Sequence, residues 1–307
     1  MNWDSEYVQR LIQTALEEDV GAGDATVLAT IPAKATGTAR VLGREELICA
    51  GLPMAERVFR ALDPDMRIEP RVQEGDLVSK GAVMLHLDGK ARAILTGERA
   101  ALNFLGRLCG IATLVHRFVE RITGTRARIR DTRKTIPGLR LLEKYAVKTG
   151  GGTNHRIGLY DAILLKENHI ALAGGVKPAL DQANAYAALH AKPGALTAYE
   201  EAVPVRASDT VLPIQIEVRN ESELREALSA GADSVLLDNM TPAQAAHSVS
   251  IARQLQPECI IEISGGITLE NVRAYAETGA DFLSSGTLTH SAPAANLSLL
   301  VDAIKDK

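Results

Sequence analysis

The chain has 307 residues, 46% of them apolar, and 34 Lys and Arg against 38 Asp and Glu give a net charge of −4. This length and apolar content allow one large or two ordinary domains with a sizeable core, and the acidic balance argues against a general nucleic-acid or membrane-surface role. No run reaches the ~18 apolar residues of a membrane span. Cys49, Cys109 and Cys259 are far apart and lack metal-ligand spacing, which predicts free thiols in a reducing cytoplasm. The start, Met1-Asn-Trp-Asp-Ser-Glu6, carries no apolar signal segment, so the expected location is cytoplasmic.

Residues 1–115 read as an α+β domain with antiparallel strands. Val41–Cys49, Arg67–Val72 and Val83–Leu87 are predicted strands, Glu74–Gly81 is a turn, and Thr96–Leu108 is a helix leading out. From Ala127 the rhythm changes to short apolar runs alternating with helices, the pattern of parallel strands buried on both faces. The predicted strands are Ala127–Arg130, Ala162–Leu165, Pro213–Val218, Ser234–Leu237, Ile260–Ile263 and Asp281–Ser284. Asn220 with Glu223, and Thr241 before Pro242, are helix starts, while Gly231 and Gly279 fall where helices should stop. Six units are too few for the usual eight-stranded barrel, so residues 116–291 are predicted to form a six-stranded, parallel, barrel-like α/β domain. The stretch Ala191–Thr210, rich in Ala, Pro and Gly, interrupts the rhythm as an insertion. Residues 292–307 read as a helix packing on the first domain.

Between Arg128 and Lys166 the chain places nine Lys and Arg against three acids. They come in packets at predicted strand ends, Asp131-Thr-Arg-Lys134, Gly150-Gly-Gly-Thr-Asn-His-Arg156 and Lys166-Glu-Asn-His169. Packets at strand ends converge on a point, and a point of positive charge suits a small polyanion. Arg133, Lys134, His155, Arg156 and Lys166 form this cationic group, with His155 as a neutral donor rather than a base. Arg140, Lys144 and Lys148, on the following helix, are assigned to solvent. Glu217 and Asp238 end neighbouring strands. A carboxylate there suits ribose hydroxyls or magnesium, or a plain salt bridge to Lys166 or Arg133. Ser264-Gly265-Gly266 and Ser285-Gly286-Thr287 recur in successive units, and glycines there let backbone N–H groups approach a phosphate. Either one alone would read as a tight turn.

The packets resemble the quinolinate phosphoribosyltransferase family. The resemblance rests on Asp131-Thr-Arg-Lys-Thr-Ile-Pro-Gly-Leu-Arg140, Gly150–Arg156, Lys166–His169, Glu98-Arg-Ala-Ala-Leu-Asn103, Leu237-Asp-Asn239, Ser264–Gly266 and Ser285–His290. It implies an N-terminal α/β sandwich, a six-stranded α/β barrel, and a homodimer whose partner subunit completes each active site. The implied reaction joins quinolinate to phosphoribosyl pyrophosphate with loss of carbon dioxide, in NAD biosynthesis, with magnesium and no organic cofactor. By the family pattern Arg99 of the neighbouring subunit, Arg133, His155, Arg156 and Lys166 surround the quinolinate dicarboxylate, with Thr132 beside them. Lys134, Glu217 and Asp238 face ribose, pyrophosphate and magnesium, and with Lys166 they make the catalytic set. Ser264, Gly265, Gly266, Ser285 and Gly286 hold the 5′-phosphate. Two departures stand out: the Ala191–Thr210 stretch, and Cys109 where serine is commoner. The competing readings are a nicotinate phosphoribosyltransferase of the same fold, a paralogue linked to molybdate uptake, and a non-catalytic anion-binding protein.

Overall fold

The computed structural model describes residues 1–190 and 212–305, so the insertion expected at Ala191–Thr210 lies outside the described residues. The chain divides into two compact units, Met1–Leu114 with Ala292–Lys307, and Val115–Ser291.

In the first unit, β1 (Thr36–Gly43), β3 (Arg67–Pro70), β5 (Val83–Lys90) and β12 (Leu297–Lys305) form an antiparallel sheet in the order β12-β1-β5-β3. Alternation decides its faces: Ala39 and Val41 are buried, whereas Arg40 points out to an ion pair with Asp302 at 2.5 Å. The C-terminal segment is therefore a strand, not the predicted helix. Its apolar spacing suits either state, and the open edge of β1, which needs backbone partners, settles the choice. The predicted strand Val41–Cys49 is interrupted by a turn. β1 ends at Gly43, and β2 (Leu47–Ile48) pairs with β4 (Leu77–Val78), which lies inside the predicted Glu74–Gly81 turn. Helices α1 (Glu6–Val20), α2 (Ala25–Thr30), α3 (Leu52–Leu62) and α4 (Ala91–Arg121) complete the unit, α4 being far longer than Thr96–Leu108. Gly110 of α4 leaves room for the Pro293 carbonyl, where a Cβ would collide, and Ala295 N donates to Gly106 O at 2.8 Å. The segment leading into β12 is thus seated on α4.

In the second unit, β6 (Arg128–Arg130), β7 (Ile163–Leu165), β8 (Ile214–Val218), β9 (Ser234–Asp238), β10 (Ile260–Ser264) and β11 (Phe282–Ser284) form one parallel sheet, ordered β6-β11-β10-β9-β8-β7. Each predicted strand is present. The helices are α5 (Arg140–Thr149), α6 (Glu167–Ala173), α7 (Val176–Leu189), α8 (Glu221–Ser229), α9 (Pro242–Leu255), α10 (Val272–Ala276) and α11 (Thr287–His290). Both predicted caps form: Asn220 accepts from Glu223 N, and Thr241 with Gln244 makes a capping box. Gly231 and Gly279 adopt φ of 83° and 88°, as helix-ending glycines do.

The sheet begins at β6 and ends at β7, and an extended segment stands at this seam. Thr153 bridges Arg130 in parallel, with its N–H donating to Ile129 O at 2.8 Å. Three residues on, Arg156 Nη1 donates to Ala162 O, just ahead of β7, at 2.9 Å. The seam is what brings His155 and Arg156 to the same end of the sheet as the strand-end residues.

Candidate active site

At the C-terminal ends of the parallel strands lies a cavity of about 530 Å³. Every predicted site residue except Arg99 lines it: Thr132, Arg133, Lys134, His155, Arg156, Lys166, Glu217, Asp238, Ser264, Gly265, Gly266, Ser285 and Gly286. Arg99 is exposed on α4, in the first unit. A groove of about 600 Å³ in the first unit, lined by Val8, Ile12, Leu16 and Leu62 among others, is of similar size. It lacks the converging charge that binding a polyanion requires, so size does not identify the site.

The cations differ in their engagement. Arg133 and Lys134 have no ion-pair partner among the described residues, and Arg133 Nε is buried without a hydrogen bond. Both side chains line the cavity and are available to an anion there. Arg156 is buried and partly spent on the Ala162 carbonyl. Lys166 Nζ lies 3.0 Å from Glu217 Oε2, the salt bridge that the sequence left open. Burial raises the Glu217 pKa, and Lys166 opposes that shift without cancelling it. His169, in the same packet, is a cap: its Nδ1 accepts from Lys166 N at 3.0 Å.

The assignment of Lys144 to solvent is overturned. Its ammonium is buried, donating to Asp131 Oδ1 at 2.7 Å, to Oδ2 at 2.8 Å and to His155 O at 2.8 Å. Burial raises Asp131 to a pKa of about 6 against the pull of Lys144. The lysine lies three residues before the buried Val147, on the same helix face, so the core charge of Asp131 can claim it. Arg140 is also held, donating to Thr135 Oγ1 and to Ile157 O, each at 3.0 Å. Only Lys148 of the three is exposed.

At the other side of the cavity, Gly265 and Gly266 have φ of 97° and 64°. A Cβ on Gly265 would collide with the Asn239 side chain and backbone, so only glycine fits this turn. The helix after this turn, α10, starts only at Val272, and Thr268 N is bonded to Asn271 Oδ1 at 2.8 Å. The turn therefore offers backbone N–H groups more than a helix terminus.

Beneath the cavity is a polar layer that the sequence reading missed. Arg130 of β6, Gln215 of β8 and Glu262 of β10 are all buried. Arg130 Nη1 donates to Glu262 Oε2 at 2.5 Å and its guanidinium lies 3.3 Å from the Phe282 ring centroid. Gln215 Nε2 donates to Glu262 Oε2 at 3.0 Å, and Ser284 Oγ also donates to this carboxylate. Burial alone would raise Glu262; Arg130, with the hydrogen bonds from Gln215 and Ser284, outweighs it and holds the pKa at about 2. His155 Nδ1 accepts from Arg156 N at 2.8 Å, so Nε2, 3.1 Å from Gln215 Oε1, carries the proton. Burial lowers the His155 pKa, which favours the neutral ring. Its donor, however, serves Gln215 rather than a ligand. The signal for this layer was a single polar residue inside each apolar strand, as in Ile214-Gln-Ile216 and Ile261-Glu-Ile263. Alternate strands of a barrel supply one interior layer, which is where these residues sit.

The family model of the quinolinate phosphoribosyl transferase N-terminal domain matches residues 24–109, and that of the C-terminal domain matches residues 111–193 and 190–300. The probable nicotinate-nucleotide pyrophosphorylase [carboxylating] of Bacillus subtilis is 37% identical over 95% of this chain and 92% of its own length. Quinolinate phosphoribosyltransferase [decarboxylating] 1b of Nicotiana tabacum is 36% identical, over 95% of this chain and 81% of its own. The structure of the nicotinate-nucleotide pyrophosphorylase from Francisella tularensis superposes with a TM-score of 0.86 at 38% identity, covering 97% of this chain and 96% of that one. With both domain models matched in order along the chain, this protein belongs to the quinolinate phosphoribosyltransferase family.

Proposed function

We infer that the enzyme transfers the phosphoribosyl group of phosphoribosyl pyrophosphate to the ring nitrogen of quinolinate, releasing pyrophosphate and carbon dioxide and forming nicotinate mononucleotide. Beyond family membership, one observation carries this reading: two uncommitted cations, Arg133 and Lys134, face a pair of strand-end carboxylates and a glycine turn within one cavity. Quinolinate brings two carboxylates and phosphoribosyl pyrophosphate brings a ribose and three phosphate groups, and holding the pair needs all of these parts.

The ring nitrogen attacks the ribose carbon as pyrophosphate leaves, through a transition state with oxocarbenium character. No strong base is required, and positioning and charge supply the catalysis. Arg133 and Arg156 bind the dicarboxylate. Lys166 moves from Glu217 to the incoming anion, freeing that carboxylate. Asp238 and Glu217 face the ribose, where negative charge stabilises the developing cation. Lys134 meets the leaving pyrophosphate, and the Gly265-Gly266 and Ser285-Gly286 turns take the 5′-phosphate. Alkylation makes the ring an electron sink. The C2–carboxylate bond then breaks, carbon dioxide departs, and a proton replaces it at C2. Among the described residues no cluster of three or more His, Cys, Asp and Glu could cage a metal. Two carboxylates on adjacent strands do fit a magnesium ion that arrives on the diphosphate, since that ion typically takes one or two protein carboxylates plus phosphate oxygens. Magnesium would neutralise charge on the leaving group.

Among the described residues no helix is long and apolar enough to cross a membrane, which is compatible with the cytoplasmic location we assign. The homodimer is what the family resemblance implies, with Arg99, exposed on α4, reaching the neighbouring subunit's site. Mixing inactive Arg99→Ala with inactive Arg156→Ala should restore about half of the wild-type activity per heterodimer, because one composite site inherits neither defect. Heterodimers that stay inactive would place Arg99 in its own subunit or in a structural role.

Initial rates of pyrophosphate release with quinolinate and with nicotinate test the substrate. Release with quinolinate alone is expected, and release with nicotinate alone would favour the non-decarboxylating reading.

A further inference from the structure

Among the described residues, Asn239 is the only non-glycine residue with a positive φ, at 53°. Left-handed backbone is costly for any residue with a Cβ, and Asn tolerates it best because its side chain can bond locally. Such an outlier is a pointer to function when it stands at a site, and this one stands in the cavity wall directly after Asp238. Its left-handed turn folds the side chain back, and Nδ2 donates to Asp238 Oδ2 at 2.6 Å. A carboxylate only accepts, so the amide nitrogen must be the atom facing it. Asp238 Oδ1 has no partner among the described residues. The backbone is held as firmly: Asn239 N donates to Ser264 O at 2.9 Å, continuing the Asp238–Ser264 register of β9 and β10. The Asn239 amide oxygen rests against Gly265, where no Cβ could fit.

We propose that Asn239 is a positioning residue for the transfer reaction, fixing the Asp238 carboxylate with one oxygen bound and the other presented to the ribose side of the substrate. Its second contact, with Gly265, sets the spacing between that carboxylate and the phosphate turn. The inference rests on the role given to Asp238 above.

Three replacements separate conformation from chemistry. Asn239→Gly keeps the left-handed backbone and removes the amide. It should lower kcat about tenfold or more, the usual worth of a hydrogen bond to a charged group, and leave the KM for quinolinate within about threefold. Asn239→Asp also tolerates the backbone but sets a carboxylate against Asp238, so it should fall below the glycine variant. A role confined to backbone shape predicts a glycine variant at least as active as wild type, and that result would overturn the proposal. The third measurement repeats Asn239→Gly in an Asp238→Asn background. Because Asn239 acts through Asp238, the second change should then cost less than about threefold. Full additivity would show that Asn239 works independently of that carboxylate and would also overturn the proposal. Asp238→Asn alone should keep its thermal stability and lose at least about tenfold in turnover. If it does not, the role of Asp238 itself fails; if it does while Asn239→Gly stays at wild-type turnover, only the role of Asn239 fails.

Discussion

Replacing Arg133 by alanine is expected to lower kcat/KM for quinolinate by about 30- to 5,000-fold, the equivalent of about 2–5 kcal/mol for losing a desolvated, charge-assisted contact. The size of the effect follows from where the side chain stands. It lines the cavity, and among the described residues no carboxylate pairs with it. A guanidinium held in that state binds a planar carboxylate through two parallel hydrogen bonds, which a lysine cannot reproduce. Arg133→Lys should therefore recover little. Calorimetry on Arg133→Ala should show quinolinate binding weakened far more than binding of phosphoribosyl pyrophosphate. Equal weakening of both ligands would move Arg133 out of the quinolinate subsite.

Glu262→Ala should be the most destabilising single change in the second unit, costing about 3–5 kcal/mol, because it leaves the buried Arg130 charge without its carboxylate. The loss is of charge balance rather than of volume. Pairing Glu262→Leu with Arg130→Met should therefore recover much of the stability, since a buried ion pair can often be exchanged for apolar packing. Chemical denaturation of the three proteins checks this, and a double variant no more stable than Glu262→Ala would contradict it. The pH dependence has a definite sign. With the folded pKa held at about 2, below its unfolded value of about 4.3, the Glu262 contribution is complete above the unfolded value and is lost as pH falls towards 2. Asp131, raised to about 6, works in the opposite direction: its contribution is fullest below the unfolded value of about 3.9 and declines as pH rises through 6. Removing the Glu262 pair should thus flatten the acid limb of the stability curve and leave the Asp131 limb in place.

The parallel strands were legible because burial on both faces writes each as a short apolar run ending in polar residues. Those polar endings fall on the cavity rim for the same reason: the functional residues of a parallel sheet gather where strands end. Residue type and strand position together therefore point to Arg133, Lys166, Glu217 and Asp238 as lining one cavity. What escaped depends on partners far away in the chain. β12 has local spacing that suits a helix, and only β1, more than 250 residues earlier, makes it a strand. Lys144 reads as a surface lysine until Asp131 is seen to be buried beside it. Gln215 and Glu262 interrupt apolar runs and Arg130 ends one, and only the pairing of strands far apart in the chain brings the three together. Asn239 was visible as part of Leu237-Asp-Asn239, but its left-handed backbone and its hold on Asp238 belong to the folded turn.

In the proposed reaction one site both forms the nitrogen–ribose bond and expels a carboxylate. Quinolinate labelled at its 2-carboxylate, supplied with phosphoribosyl pyrophosphate and magnesium, should therefore give one labelled carbon dioxide for each pyrophosphate released, and none when either substrate is omitted. Pyrophosphate release without labelled carbon dioxide, or no release from quinolinate at all, would contradict it.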